Sequence, residues 1–462
     1  MSVGPAGIAK VTEQVLAPQT LDPATRLQLL GGGGDVQITL PLSEPSAVEA
    51  LLNLDQEAVF WSGRDGELQI GLGAAAAFAL DGQARFTDLE ERARTQLERI
   101  KQTALPGTPL RRARLYGGLA FQPGHSQRPP WELFGDGRFV LPRYVIERCA
   151  TQWTLSVNIT AQESAHADSL LQSALELRAR IGRQRPAEVE GQLPHLEQLT
   201  LDNSEAEWIR LVEDILARIA SGDCTKIVAA LRSELSFAEP LNVAATLAAL
   251  SSGGAATVFA FKRGTHTFCG ASPERLLRKV GLDIASEALA GTFHRSQGNY
   301  ATELLRSPKE HEEHLPVKRA ILEALEPLCS ELHYPAQPEI CELPHLLHLK
   351  TPIAGRLKAP VHILRLIAGL HPTPAVGGVP RAVAASWIAE QEGAERGWYA
   401  GPVGYFDAAG DGDFFVALRS GVITDRCAFL YAGAGIVAGS EPHTEYAETQ
   451  LKLRSLRASL RA

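Results

Sequence analysis

The stretch ATVFAFKRGTHTFCGASPERLL, residues 256–277, decides how the rest of the chain is read. Ala256-Thr-Val-Phe-Ala-Phe-Lys262 and Thr265-His-Thr-Phe-Cys269 are short runs rich in aromatic and β-branched residues, joined by a turn at Arg263-Gly264, and together predict a hairpin. Directly after it, Ser272 is placed to cap a short helix with Pro273 first and Glu274 second. A carboxylate there ordinarily does no more than complement a helix dipole. If its surroundings keep it protonated near neutral pH, the same group is a general acid.

Upstream, Ser204 and Glu207 form a capping box, and Trp208, Leu211, Val212, Ile215, Leu216 and Ile219 recur at helical spacing until Gly222 ends the helix. Lys226-Ile-Val-Ala-Ala-Leu-Arg232 then reads as a strand. A lysine at a strand end commonly snorkels to water. Burial disfavours the charged form of a lysine, which makes Lys226 a candidate base.

Downstream, Ser307, Pro308 and Glu310 predict a capped helix running to about Leu328, with a kink near residues 312–316 because Pro316 lies inside it. The C-terminal part predicts strands at Asp413–Arg419 and Ala428–Ala432, a glycine turn, and a final helix from about Thr444. Glu310 and Glu313 share one helix face, and Glu445, Glu448 and Lys452 share another. Taken from spacing alone these pairs read first as solvated surface, but two acidic pairs on two helices can together hold a hard cation such as magnesium. Ala432-Gly-Ala-Gly-Ile-Val437 has neither dinucleotide nor phosphate-loop spacing. Its amides and the fork of Arg419 could bind a carboxylate, although a strand arginine is more often a structural ion pair.

The 462 residues suit two domains or one large α/β unit. A net charge of -8 with no basic run argues against nucleic acid and for a small-molecule partner. No leader-like N-terminus and no run of eighteen apolar residues is visible, which predicts a cytoplasmic protein without a membrane span. The six cysteines are scattered, without metal or disulfide spacing. The first half is looser in composition, and the polar text around 182–203 divides the chain into residues 1–190, read as mainly structural, and 200–462.

In order, the segments Lys226-Ile-Val, Gly270-Ala-Ser-Pro-Glu-Arg-Leu, Glu287-Ala-Leu-Ala-Gly-Thr292, Ser307-Pro-Lys-Glu-His-Glu-Glu-His314, His348-Leu-Lys-Thr-Pro-Ile353, His371-Pro-Thr-Pro-Ala-Val-Gly-Gly378, Gly397-Trp-Tyr-Ala400 and Gly433-Ala-Gly-Ile-Val437 with Glu445-Tyr-Ala-Glu-Thr449 resemble the chorismate-utilising enzymes. The resemblance covers residues 200–462, with a weaker trace in Gly117-Gly-Leu-Ala-Phe121, Trp131-Glu-Leu-Phe134 and Phe139-Val-Leu-Pro142. It implies one large α/β fold: a layered β-sandwich of two related halves with helices outside, and the catalytic region in the second half.

The same resemblance implies Glu313 and Glu448 as Mg2+ ligands, with Glu310 and Glu445 assisting through water. It makes Lys226 the general base and Glu274 the general acid, and it assigns Thr292, His348, Tyr399, Arg419, Gly433, Gly435 and Lys452 to chorismate binding. The implied reaction is that of the isochorismate synthase branch, since Lys226 suits activation of water whereas members that use ammonia usually lack this lysine. The product would feed menaquinone, siderophore or salicylate biosynthesis, and no glutaminase partner is implied. A salicylate synthase, which also eliminates pyruvate, and an aminodeoxychorismate synthase component are the alternatives.

Two positions depart from the family pattern. Leu231 stands where an arginine is usual and Arg232 comes one residue later, which turns it to the other strand face unless a bulge intervenes. Pro316 stands where an aliphatic residue is expected.

Overall fold

The structure is a computed structural model that describes residues 21–462 apart from 32, 184–191, 202–203, 253, 255, 295–299 and 343–345. The predicted hairpin forms from the strands Thr257–Arg263 and His266–Ser272, in register from Thr257 opposite Ser272 to Arg263 opposite His266. Its apolar run is nearly continuous because both faces are covered. Phe259, Phe261 and Phe268 enter one core with Trp131, Phe134 and Trp398, while Val258, Ala260 and Cys269 enter a second with Leu247 and Leu250.

The hairpin is central to a large, almost wholly antiparallel sheet. On one side follow Glu57–Ser62, Leu68–Leu80, Gly137–Cys149, Gln152–Ile159 and Val36–Leu42. On the other follow Ser420–Ile423, Cys427–Val437 and Lys226–Phe237. A second sheet leaves the first at the long strand Gly137–Cys149, whose beginning also pairs with Arg114–Leu119. It continues through Pro402–Asp407, Gly412–Val416, Arg275–Val280, Asp283–His294 and Leu346–Leu357. Strands from residues below 190 and above 200 thus alternate in one hydrogen-bonded network.

The chain crosses between the sheets at two adjacent places. His266–Ser272 lies in the first sheet and Arg275–Val280 in the second, so Pro273 and Glu274 form a corner. Gly412–Val416 lies in the second and Ser420–Ile423 in the first, so residues 417–419 form another. The predicted short helix at Pro273 does not exist. Ser272 Oγ accepts from Glu274 N at 3.2 Å, the bond a helix cap would make, but it also donates to Val416 O at 2.6 Å and holds the segment as a sheet-to-sheet turn. The strand predicted to reach Arg419 ends at Val416, and Arg419 adopts a left-handed φ of 49°.

The helix Glu205–Ser221 has the predicted capping box and left-handed Gly222 stop. The helix Pro308–Leu325 runs without a break through Pro316. Ser307 caps it, but Glu310 completes no box there, because its carboxylate is taken by another backbone amide. The last helix, Pro442–Arg457, starts two residues earlier than its periodicity suggests because Glu441 accepts from the amides of His443 and Thr444. Within the polar connector, Leu196–Leu201 is a strand paired with Lys226–Phe237, and residues 184–191 and 202–203 of that connector lie outside the described residues.

Lys226–Phe237 pairs with Cys427–Val437 without a register shift. No bulge intervenes, so Arg232 shares the face of Lys226 and donates to Pro129 O at 3.0 Å, while Leu231 is buried on the opposite face. Among the described residues no helix is long and apolar enough to cross a membrane. Ile215, fully buried on the capped helix, is expected to cost about 2–5 kcal/mol as Ile215→Ala, read as a lowered denaturant midpoint at unchanged slope.

Candidate active site

Where the two sheets part, a cleft opens to solvent, walled by both corners and by the strands Asp283–His294 and Cys427–Val437. Of the residues singled out in the sequence, Glu274, Thr292, Glu313, His348, Tyr399, Arg419, Gly433, Gly435 and Lys452 line it. Glu310, Glu445, Glu448 and Lys226 are not part of its wall.

Glu274 is buried at its corner, with its carbonyl accepting from Val416 N at 3.1 Å. Burial and then the nearby Glu287 push its carboxyl up to about 8, against the opposing pull of Lys226 and Arg64. It is therefore a protonated acid at neutral pH. Lys226 is fully buried. Its Nζ lies 3.2 Å from Glu313 Oε1, just behind the cleft wall. Gly435 makes room for this pair: a Cβ there would stand 2.4 Å from Glu313 Oε1 and 2.9 Å from Lys226 Cε.

Gly433 and Gly435 line the cleft beside this pair, on the strand Cys427–Val437. Val228 and Ala230 turn their backbone groups away from the strand Cys427–Val437: Val228 N donates to Gly377 O, Val228 O accepts from Arg396, and Ala230 N donates to Glu392. They face Gly435 and Gly433 as wide antiparallel pairs. In such pairs both partners' amides point outward, so the N–H groups of Gly433 and Gly435 are directed away from that ladder. Lys452 Nζ reaches the same place, 2.8 Å from Gly433 O.

Arg419 Nη2 donates to His348 Nε2 at 3.4 Å. Because a guanidinium only donates, His348 carries its proton on Nδ1, 3.1 Å from Gly291 O and 3.2 Å from Thr292 Oγ1. Burial and the cations Arg419 and Lys452 push this imidazole down to about 3. Tyr399 stacks on Tyr431 with centroids 5.1 Å apart, and burial raises its hydroxyl to about 12.

The four carboxylates assigned to a metal each have another partner. Glu313 pairs with Lys226, Glu448 with Lys452 at 2.5 Å, and Glu445 with Lys309 at 3.0 Å, while Glu310 accepts from Thr292 N at 2.7 Å. Among the described residues no group of three or more acidic, histidine or cysteine side chains is arranged to hold a metal. The donor chemistry nevertheless suits a hard cation, since all four are carboxylates. Burial, followed by Glu313 and Glu448, lifts Glu310 to about 7, and burial with Glu448 lifts Glu445. A divalent cation would neutralise this repulsion. At Glu448 burial works upward, but Lys452 outweighs it and the carboxyl falls below its ordinary range.

Sequence reasoning missed several supports. Arg396 donates to Val376 O and Val228 O and pairs with Glu392, a signal available in the i, i+4 spacing. Trp131 Nε1 donates to Tyr431 Oη at 2.8 Å, holding the ring on which Tyr399 stacks. Glu287 lies in a matched motif that implies no role for it, and its partner Arg64 lies outside every matched motif.

A family model described as chorismate binding enzyme matches residues 35–461, and the chain belongs to this family. The salicylate biosynthesis isochorismate synthase of Pseudomonas aeruginosa is 36% identical over 400 residues, covering 84% of this chain and 82% of that protein. The isochorismate synthase MenF of Bacillus subtilis is 34% identical over 421 residues, covering 87% of each. Among solved structures, MenF of Escherichia coli, described as menaquinone-specific, aligns with a TM-score of 0.76 at 26% identity over 97% of this chain and 99% of that one. The fold also matches anthranilate synthase component I from Streptococcus pneumoniae, with a TM-score of 0.66, 20% identity and coverage of 95% and 97%.

The hydrogen-bond network around His348 makes a direct prediction. Its imidazole 15N shifts should stay those of a neutral ring from about pH 8 to about pH 5; a ring titrating near the ordinary value of about 6.5 would contradict the assignment.

Proposed function

We propose that the chain is an isochorismate synthase, an isomerase that converts chorismate to isochorismate. The observation that carries this reading is the buried acid Glu274, held protonated at a cleft that also senses the charge of buried Lys226. The full-length relatives that bear the name isochorismate synthase support it.

The anion cradle of Arg419, Lys452 and the Gly433 and Gly435 amides orients a substrate carboxylate, and neutral His348 with Thr292 braces Arg419. Water adds to C2 and forms the new C–O bond while Lys226, in its neutral form and free of Glu313, takes the water's proton. The ring double bonds shift, the C4–O bond breaks, and Glu274 gives its proton to the departing hydroxyl. One water enters and one leaves, so the product is an isomer.

Glu313 and Glu448, with Glu310 and Glu445 assisting through water, would hold a magnesium ion, which supplies charge neutralisation for the substrate carboxylate when bound. Because water is the nucleophile, the reading requires no glutaminase partner. The negative net charge and the small concave site support a small-molecule substrate rather than nucleic acid. We read the location as cytoplasmic.

Chorismate incubated with the enzyme, magnesium and H2(18O) should give a product of isochorismate carrying one solvent oxygen, without pyruvate, and EDTA should stop the reaction until magnesium is restored. Pyruvate with salicylate would assign a lyase instead. Lys226→Ala and Glu274→Gln should each lower turnover by roughly 10²- to 10⁴-fold at intact fold. Full activity in either sinks its assigned role.

The pH profile follows from Glu274, whose surrounding charges are Glu287, Lys226 and Arg64. Glu274 works in its acid form and Lys226 as the base, so kcat should follow a bell-shaped profile in which the Glu274 limb falls as pH rises through about 8. A rate still climbing well above that value contradicts the acid assignment.

A further inference from the structure

The turn between Glu57–Ser62 and Leu68–Leu80 belongs to the N-terminal half, yet its Arg64 reaches the corner that carries the acid. Arg64 Nη1 lies 3.0 and 2.9 Å from the two carboxylate oxygens of Glu287, and Nη2 donates to the Pro273 carbonyl. The guanidinium lies 5.2 Å from the centroid of the Phe415 ring. Glu287 Oε2 also accepts from Arg275 N at 3.3 Å. One ion pair therefore binds the backbone on both sides of Glu274: the carbonyl of the residue before it and the amide of the residue after it. Both partners are mostly buried, with side-chain exposures of 18% and 11%.

We propose that Arg64 and Glu287 are positioning residues for the general acid: their salt bridge, with one guanidinium nitrogen on Glu287 and the other on the Pro273 carbonyl, clamps the Pro273–Arg275 backbone and fixes the direction in which Glu274 presents its carboxyl to the cleft. This rests on the reading of Glu274 as the acid. A flexible corner would let the carboxyl leave the line of the departing hydroxyl, and small misplacements of a reacting group are costly in rate. The pair also acts on Glu274 electrostatically with opposite signs, since Glu287 raises its carboxyl and Arg64 lowers it. Removing Glu287 makes the acid easier to ionise. Removing Arg64 leaves the Glu287 charge uncompensated and makes it harder.

The test measures kcat and KM for chorismate between about pH 6 and about pH 9 for Glu287→Gln, Arg64→Gln and Arg64→Lys, with Glu274→Gln alongside. Glu287→Gln and Arg64→Gln should lose roughly 10- to 100-fold in kcat with KM changed by no more than about twofold. The basic limb should move to lower pH in Glu287→Gln and to higher pH in Arg64→Gln. Arg64→Lys should return the limb to its wild-type position by restoring the charge, yet recover kcat only in part, because an ammonium cannot fork to Glu287 and Pro273 together.

Unchanged kcat, a loss confined to KM, or a kcat loss with the limb unmoved in both glutamine variants overturns the proposal, the last because mere loosening of the fold predicts it. If Glu287→Gln does not fold, the opposite behaviour of limb and kcat in Arg64→Lys still decides. An active Glu274→Gln instead overturns the acid assignment itself.

Discussion

The double crossing of the chain between two sheets is the constraint on which the site depends. A strand that changes sheets must leave its ladder for a few residues, and the backbone groups so freed need partners. Here the two crossings satisfy each other: Ser272 Oγ donates to Val416 O, Val416 N donates to Glu274 O, and Ala271 N donates to Arg419 O. Glu274 and Arg419 are thereby tied together through the backbone although they are 145 residues apart in the chain. The cleft is the space the parting sheets leave between them.

The wall of that space and the layer just behind it carry many charges, and most are arranged in compensating pairs. Lysines face the carboxylates of Glu313, Glu445 and Glu448. Leaving a buried charge unpaired is far more costly than pairing it, so these contacts keep the cleft folded. Glu274 stands outside these pairs. Burial and a like charge keep it protonated rather than paired. Gly435 and Gly291 serve the same arrangement by omission. A Cβ at 435 would strike the Lys226–Glu313 pair, and Gly291, with φ of 79°, forms the bulge that turns Thr292 N toward Glu310.

Among the described residues none before 190 lines the cleft, yet that part of the chain supports side chains that do. Trp131 holds Tyr431, Tyr431 supports Tyr399, and Arg64 reaches the acid corner. These contacts exist because strands of the two halves alternate in the sheets, with Glu57–Ser62 beside Thr257–Arg263 and Arg114–Leu119 beside Pro402–Asp407.

Local signals in the sequence were enough for the capped helix Glu205–Ser221, the hairpin of Thr257–Arg263 with His266–Ser272, and the strand opening on Lys226, because caps, glycine stops and apolar periodicity act over a few residues. Motif order was enough for the family, and several of the residues it singles out line the cleft. Only the tertiary structure decided that Ser272-Pro-Glu274 is a corner rather than a helix start, that Glu310 bonds to Thr292 rather than to its own cap, and that Lys226 is held by Glu313. Each of these outcomes depends on a partner far away in the chain. A cap and a sheet crossing make the same local hydrogen bond, and only the distant strand that accepts the second bond separates them.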